Sequence, residues 1–273
     1  MRIRCLAIVV AIFFSLQGGP VGGQQTSTST SPPQASTLLM QAAAALSGSV
    51  TVSDVTLTGT AQNIAGSDNE SGTASLKAMS AGESSINLSL SGGTFSEIRS
   101  FDSYNSPVGT LTGLDGVQHT IPYHNLQTDS SWFFPALTVE KLTSVTGLIG
   151  TYVGQETLNG QSALHVSFAQ PVPVAAGGPN ASIMQHLTQM ELYLDPATAL
   201  PIALSFATHP DNNELYDIPV QILFSNYQSV NGVEIPFHVQ KFLNGTLALD
   251  LQMQSAVLNS GLTASGFAVQ ISQ

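Results

Sequence analysis

The chain has 273 residues and a formal net charge of −11, and only 8% of its residues are Asp, Glu, Lys or Arg, against about 25% in an ordinary domain. An acidic, cation-poor chain repels a phosphate polymer, which excludes nucleic-acid binding, and offers little to anionic lipid headgroups. Ser, Thr, Gln, Asn and Gly carry the polarity instead, as on the hydroxyl-rich faces of an extracytoplasmic β protein.

At the N-terminus Arg2 and Arg4 precede an apolar run, Cys5 to Leu16, and small residues follow up to Gly23. That order of positive, apolar and small is a secretory signal peptide, expected over residues 1–23. The run is too short for a membrane span of about 20 residues, and no later segment is long and apolar enough to cross a bilayer. An exported protein, periplasmic or extracellular, is therefore expected, without an integral span in the mature chain. Removing Arg2 and Arg4 leaves four cations against 17 acids, a net charge of −13. Cys5 is the lone cysteine, so the mature chain would have no disulfide, thiolate metal site or cysteine nucleophile.

Residues 24–35 are a Ser/Thr/Pro-rich linker with little to bury, expected to be disordered. One domain is expected over residues 36–273. Ser36 or Thr37 is placed to cap a helix over Leu38–Leu46, which Gly48 ends. Strands follow at Val50–Leu57, broken near Gly59, at Ala74–Met79, at Ile86–Leu90 and at Phe95–Phe101, with Gly-rich separators. Asp102–Thr128 reads as irregular. Ser131 is placed to cap the aromatic segment Trp132–Leu137, and Leu137–Val145 has helical spacing. Strands return at Ile149–Leu158 and Ser162–Phe168 around Asn159-Gly160. A Pro/Gly loop, Pro171–Pro179, leads to a short helix near Ala181–Leu187. Gln189–Leu194 and Ile202–Thr208 flank Asp195-Pro196-Ala197-Thr198, which suits a type I turn. The last block, Asn226–Phe267, is a meander around Asn231-Gly232 and Asn244-Gly245, dipeptides that accept the positive φ angles of type I′ turns.

Several segments, in order, carry a family resemblance. They are Ala45-Leu46-Ser47-Gly48 before Val55–Gly59, Val153–Val166 around Asn159-Gly160, Leu194–Pro201, Tyr227–Phe237, and Ser255–Asn259 before Phe267. Across most of Thr37–Val269, with Asp102–Thr128 unmatched, the chain resembles the lipoprotein-carrier and outer-membrane lipoprotein-sorting superfamily of the bacterial envelope, and within it secreted, uncharacterised relatives. The resemblance implies a mainly β (α+β) fold: a curved, half-open antiparallel barrel with a few short helices packed in or across its concave side. It implies an apolar cavity for a lipid or lipoprotein acyl chain. The known carriers use an arginine at the cavity mouth; the matching segments do not include Arg99.

The six histidines form no His-x-His, His-x-x-x-His or His-Glu-x-x-His pattern, so no metal site and no cofactor are expected. No Gly-x-Ser-x-Gly elbow is present, and Ser130 and Ser131 with His124 and Asp129 are too local to imply a triad, so no catalytic residues are assigned and a non-enzymatic role is expected. The densest aromatic cluster, Trp132, Phe133 and Phe134 with Leu137, is the candidate ligand-binding segment, with core packing as its plainer role. The alternative to a carrier is a non-catalytic structural or protein-interaction module docked to an envelope protein.

Overall fold

The computed structural model describes residues 34–171 and 179–269. The expected signal peptide, the linker up to Pro33 and most of the Pro/Gly loop lie outside the described residues. Helix α1 (Ala35–Ser47) comes first. Six strands follow: β1 (Asp54–Ala65), β2 (Asp68–Met79), β3 (Ser84–Leu90), β4 (Gly93–Phe101), β5 (Pro107–Thr112) and β6 (Gln118–Thr120). A short 3-10 helix (Tyr123–Gln127) and helix α2 (Pro135–Ser144) lead to β7 (Ile149–Leu158) and β8 (Gln161–Ala169). Helix α3 (Pro179–Leu187) precedes β9 (Met190–Leu194), β10 (Pro201–Thr208), β11 (Ile218–Val230), β12 (Val233–Leu243) and β13 (Thr246–Leu258). Among the described residues no helix is long and apolar enough to cross a membrane.

The thirteen strands form one open antiparallel sheet in the order β6-β5-β4-β3-β2-β1-β13-β12-β11-β10-β9-β8-β7. The connection from β6 to β7, which holds α2, runs from one edge of the sheet to the other, and every neighbouring pair except β1–β13 is sequential. The Asn-Gly pairs make three of these hairpins, with φ of 51° and 83° at Asn159-Gly160, 52° and 82° at Asn231-Gly232, and 48° and 76° at Asn244-Gly245. Positive φ at both central residues is the type I′ geometry that matches strand twist.

Alternation decides which face is inside. Leu57, Leu76 and Ile86 stand in one register across β1, β2 and β3 and are 0–3% exposed. Helices α1 and α2 pack on each other, on β12 and, for α1, on β7 and β8. Leu38, Leu39, Ala42 and Leu46 form the buried stripe of α1, a helical spacing, and each buried leucine contributes about 1.5–3 kcal/mol of transfer free energy. The sheet curls strongly enough that Leu111 of β5 and Phe206 of β10, eight strands apart in sheet order, line one cavity. The fold is thus mainly β: a curved, open antiparallel sheet with helices on its concave side.

Some elements differ from expectation. Helix α1 begins at Ala35 after Gln34, and no side chain caps it, so neither Ser36 nor Thr37 has that role. Strand β1 runs through Gly59 instead of breaking there, because only a residue without Cβ fits: a Cβ at Gly59 would lie 2.1 Å from the Gln252 carbonyl oxygen of β13. The register of the β1–β13 pair shifts at that point. Asp102–Thr128 holds β5, β6 and a 3-10 helix, although its Gly and Pro residues interrupt the alternation. Helix α2 starts with Pro135 at its first turn; Ser131 does not cap it and donates instead to the buried Asp129 carboxylate. In β4 the residues that line the cavity are Phe95, Glu97 and Arg99, alternate positions on the face set by the pairing of Ile86 with Glu97.

Candidate ligand-binding cavity

The helices fill only part of the concave side. What remains is a cavity of about 590 Å³ between the β3–β5 arm and the β10–β13 arm, within the size range of small-molecule sites. Its apolar wall includes Ile86, Leu88, Phe95, Leu111, Ile121 and Leu249.

Four charged side chains interrupt this wall, Asp211 from the β10–β11 connection and three from the sheet. In β12 the inward series Val233, Ile235, Phe237 and Val239 is 0–7% exposed, and the next inward position is Lys241. In β4 the inward pair is Glu97 and Arg99, which lie beside each other because side chains two apart on a strand share a face. Arg99 Nε donates to Glu97 Oε1 at 2.7 Å. Its Nη1 donates to the Asn125 carbonyl at 3.3 Å and to Thr128 Oγ1 at 3.1 Å, which ties the 3-10 helix to the sheet. Lys241 Nζ sits 4.8 Å from the centre of the Trp132 ring, a cation–π distance. Among the described residues no carboxylate lies within ion-pair distance of that ammonium; the wall carries two cations, Arg99 and Lys241, and two carboxylates, Glu97 and Asp211.

These groups perturb one another. Burial opposes ionisation of Glu97, but Arg99 and Lys241 outweigh it and hold the carboxyl below its ordinary range. Burial pulls the Lys241 ammonium down, Glu97 partly offsets this and Arg99 adds to it. Lys241 is therefore a cation short of compensation, in a wall of mixed apolar and polar side chains.

The aromatic segment divides. Trp132 forms part of the cavity wall, while Phe133 and Phe134 are fully buried and Leu137 is 3% exposed, all in the core beneath it. Trp132 and Phe133 meet edge to face at 5.6 Å. Below them Asp129, 5% exposed, accepts from Ser131 Oγ and Thr138 Oγ1, with Lys141 Nζ 3.6 Å from its other oxygen. This network fixes the segment to α2.

The other candidates do not assemble a catalytic cleft. His119 lines the cavity, Asp115 accepts from Val117 N within its own turn, and Asp129 is committed to Ser131 and Thr138. His124 Nε2 faces the Pro210 carbonyl at 3.2 Å, away from Ser130, which donates to the Gly82 carbonyl. His124 instead stands edge-on to His209, 5.9 Å between ring centres. His209 is 4% exposed; burial lowers its pKa, with His186 and His124 adding to this and Asp217 opposing it. No pattern search finds this group, because its members come from the 3-10 helix, α3 and the two ends of the β10–β11 connection.

Glu97 and Lys241 were not singled out from the sequence, and Arg99 was weighed there without being assigned to the cavity. Their signal is legible in retrospect: a charge where the period-two apolar series demands an inward apolar residue.

No family model matches the chain, and no curated protein matches it. Several solved structures are similar to it at low identity. A LolA superfamily protein from Nitrosomonas europaea is 9% identical, with 87% of this chain and 99% of that chain covered and a TM-score of 0.49. A DUF1329 family protein from Desulfovibrio piger is 10% identical, with 86% and 95% covered and a TM-score of 0.48. An outer membrane lipoprotein-sorting protein domain from Vibrio parahaemolyticus is 13% identical, with 78% and 88% covered and a TM-score of 0.47.

Proposed function

We propose that this chain is an exported, non-catalytic binding protein of the cell envelope that shelters an acyl chain with an acidic headgroup in its concave cavity. One observation carries the reading: a cavity with an apolar wall whose charged groups are Glu97, Arg99, Asp211 and Lys241, and in which Lys241 has no carboxylate within ion-pair distance among the described residues. Each methylene moved from water into that wall contributes about 0.8 kcal/mol, and the headgroup oxygen supplies Lys241 with the counter-charge that the fold withholds. Trp132 closes the wall beside the headgroup position. Binding an anion beside Lys241 restores its ammonium toward the ordinary lysine range, so affinity for an acid exceeds that for its neutral analogue. Native mass spectrometry of the purified protein after incubation with a long-chain fatty acid and with the alcohol of equal length tests this. Retention of the acid in preference to the alcohol supports it; failure to retain either sinks it.

The interaction-module reading draws on a different observation. Helices α1 and α2 and the Trp132–Phe134 segment fill the β7–β8 and β12 side of the concave face, and strand β7 is an exposed sheet edge with Ile149 and Val153 41% and 55% exposed. A bare edge accepts an added strand from a partner. It leaves the charged cavity wall without a role, and for that reason stands second.

A further inference from the structure

We propose that His186, His209 and Asp217 form a binding site for a divalent transition-metal ion of the zinc class, independent of the acyl-chain cavity. The three residues come from separate elements. His186 lies in the last turn of α3, His209 directly follows β10, and Asp217 directly precedes β11. Folding brings one ligand atom of each to within 4.8 Å of the others. His186 Nε2 is 2.8 Å from Asp217 Oδ1, and His209 Nε2 is 3.1 Å from the same oxygen.

Zinc–nitrogen and zinc–oxygen bonds of about 2.0–2.2 Å at tetrahedral angles place neighbouring ligand atoms about 3.3 Å apart. To admit an ion the two histidine–aspartate pairs have to open by a few tenths of an ångström, while the two histidines, within 4.8 Å of each other, draw together. Two imidazoles and one carboxylate select zinc, cobalt, nickel or copper over calcium or magnesium, which prefer oxygen sets. On binding, the Nε2 lone pair of each histidine faces the ion, with the ring proton on Nδ1, and Asp217 exchanges its two imidazole contacts for one metal contact.

The site is built and reachable. His209 is held in place by its neighbours, since Asn125 accepts from His209 N at 2.8 Å and donates to its carbonyl at 2.8 Å. Its ring is buried, and the Nδ1 atom finds no partner among the described residues. Its neighbours His124 and His186 stand 5.9 and 5.7 Å away between ring centres. His186 and Asp217 in turn form part of the wall of a second cavity of about 500 Å³, through which an ion enters and from which a water completes its coordination. The side chains of His186 and Asp217 are 37% and 48% exposed, so changing either leaves the core intact. Filled, the site joins α3 to the β10–β11 connection through the ion, where the His186–Asp217 hydrogen bond already links them.

The test is calorimetric titration of the chelator-treated, purified protein with zinc chloride, beside thermal melting with and without zinc. One saturable equivalent and a raised Tm are expected. Both are lost in Asp217→Asn and in His186→Ala, by at least the ~10–100-fold in affinity that even outer-shell partners of a metal cost. His238→Gln keeps both, because His238 is paired elsewhere, with Asp250 and Ser225. Absence of saturable binding overturns the proposal and leaves a carboxylate satisfied by two imidazoles. So does binding that survives both Asp217→Asn and His186→Ala.

Discussion

Replacing Lys241 by Met separates recognition of a headgroup from burial of a chain. Met keeps the unbranched length and removes the charge, at an inward position whose strand neighbours are Ile222 on β11 and Leu249 on β13. In the free protein two effects nearly cancel. The variant loses the cation–π contact at 4.8 Å, worth about 0.5–2 kcal/mol, and removes a half-buried ammonium that burial disfavours. Glu97 keeps Arg99 at 2.7 Å, so no carboxylate is stranded. Stability is expected to change by no more than about 1 kcal/mol, or a Tm shift of about 2–4 °C. In the complex the variant loses a hydrogen bond to a charged group, about 1.5–3 kcal/mol, which is a roughly 10- to 150-fold weaker Kd for a fatty acid. Affinity for the alcohol of equal length stays within about twofold. The assay is the emission of Trp132, the only tryptophan in the chain, titrated with acid and alcohol in parallel. Equal losses for both ligands, or no loss for the acid, would refute the assignment of Lys241 to the headgroup.

Three further outcomes follow from the fold. Gly59→Ala places a methyl group 2.1 Å from the Gln252 carbonyl; overpacking of this kind costs about 3 kcal/mol, so Tm falls by about 6–12 °C, and an unchanged melt would contradict the close β1–β13 approach. Thr138→Val removes a hydroxyl that donates to the buried Asp129 and leaves a carboxylate oxygen short of a donor, which costs about 1–3 kcal/mol; chemical denaturation reads it, and a null result would mean that Lys141 and Ser131 satisfy Asp129 alone. The third outcome is acid sensitivity. Asp54 resists ionisation through burial, but donors from Ser260, Gly261 and Ser53 outweigh this and hold its carboxyl below the ordinary value, as Arg99 and Lys241 do for Glu97. A depressed folded pKa means that the unfolded chain binds protons more readily, so both contributions are complete above the ordinary carboxylate range and fade as pH falls through it. Melting followed from neutral pH down to about pH 3 is expected to show Tm falling with acid; Asp54→Asn lowers Tm at neutral pH and flattens the slope, and a parent Tm independent of pH would contradict the assignment.

The fold was legible where one local rule decided it. Asn159-Gly160, Asn231-Gly232 and Asn244-Gly245 fixed three hairpins through backbone geometry alone, and the alternation through Ile86, Leu88 and Leu90 marked β3 and its inward face. It was not legible where a tertiary contact overrode the local signal. Gly59 reads as a strand breaker, but it continues β1 because Gln252 of a strand nearly two hundred residues later leaves no room for a Cβ. Asp102–Thr128 lacks alternation because Gly109 sits where Leu126 and Ile121 crowd the backbone.

The site followed the same division. Trp132 could be selected for its chemistry, yet Phe133 and Phe134, equally aromatic, turn into the core, since adjacent side chains face different ways and nothing in the segment says which faces the cavity. Glu97, Arg99 and Lys241 were hidden because charge on a strand ordinarily marks the solvent face, and only the register against Ile86 and Leu249 reverses that reading. His186, His209 and Asp217 share no spacing rule at all, and only the route of the β10–β11 connection past α3 brings them together.

The most direct test of the acyl-chain reading uses the same tryptophan as a ruler. A fatty acid brominated along its chain quenches indole emission only at near contact, and Trp132 is buried in the cavity wall and 1% exposed. Titration of the purified protein with the brominated acid is expected to give saturable, stoichiometric quenching that the unbrominated acid competes away. Trp132 emission that stays constant up to ligand saturation of a control carrier would contradict an acyl chain in this cavity.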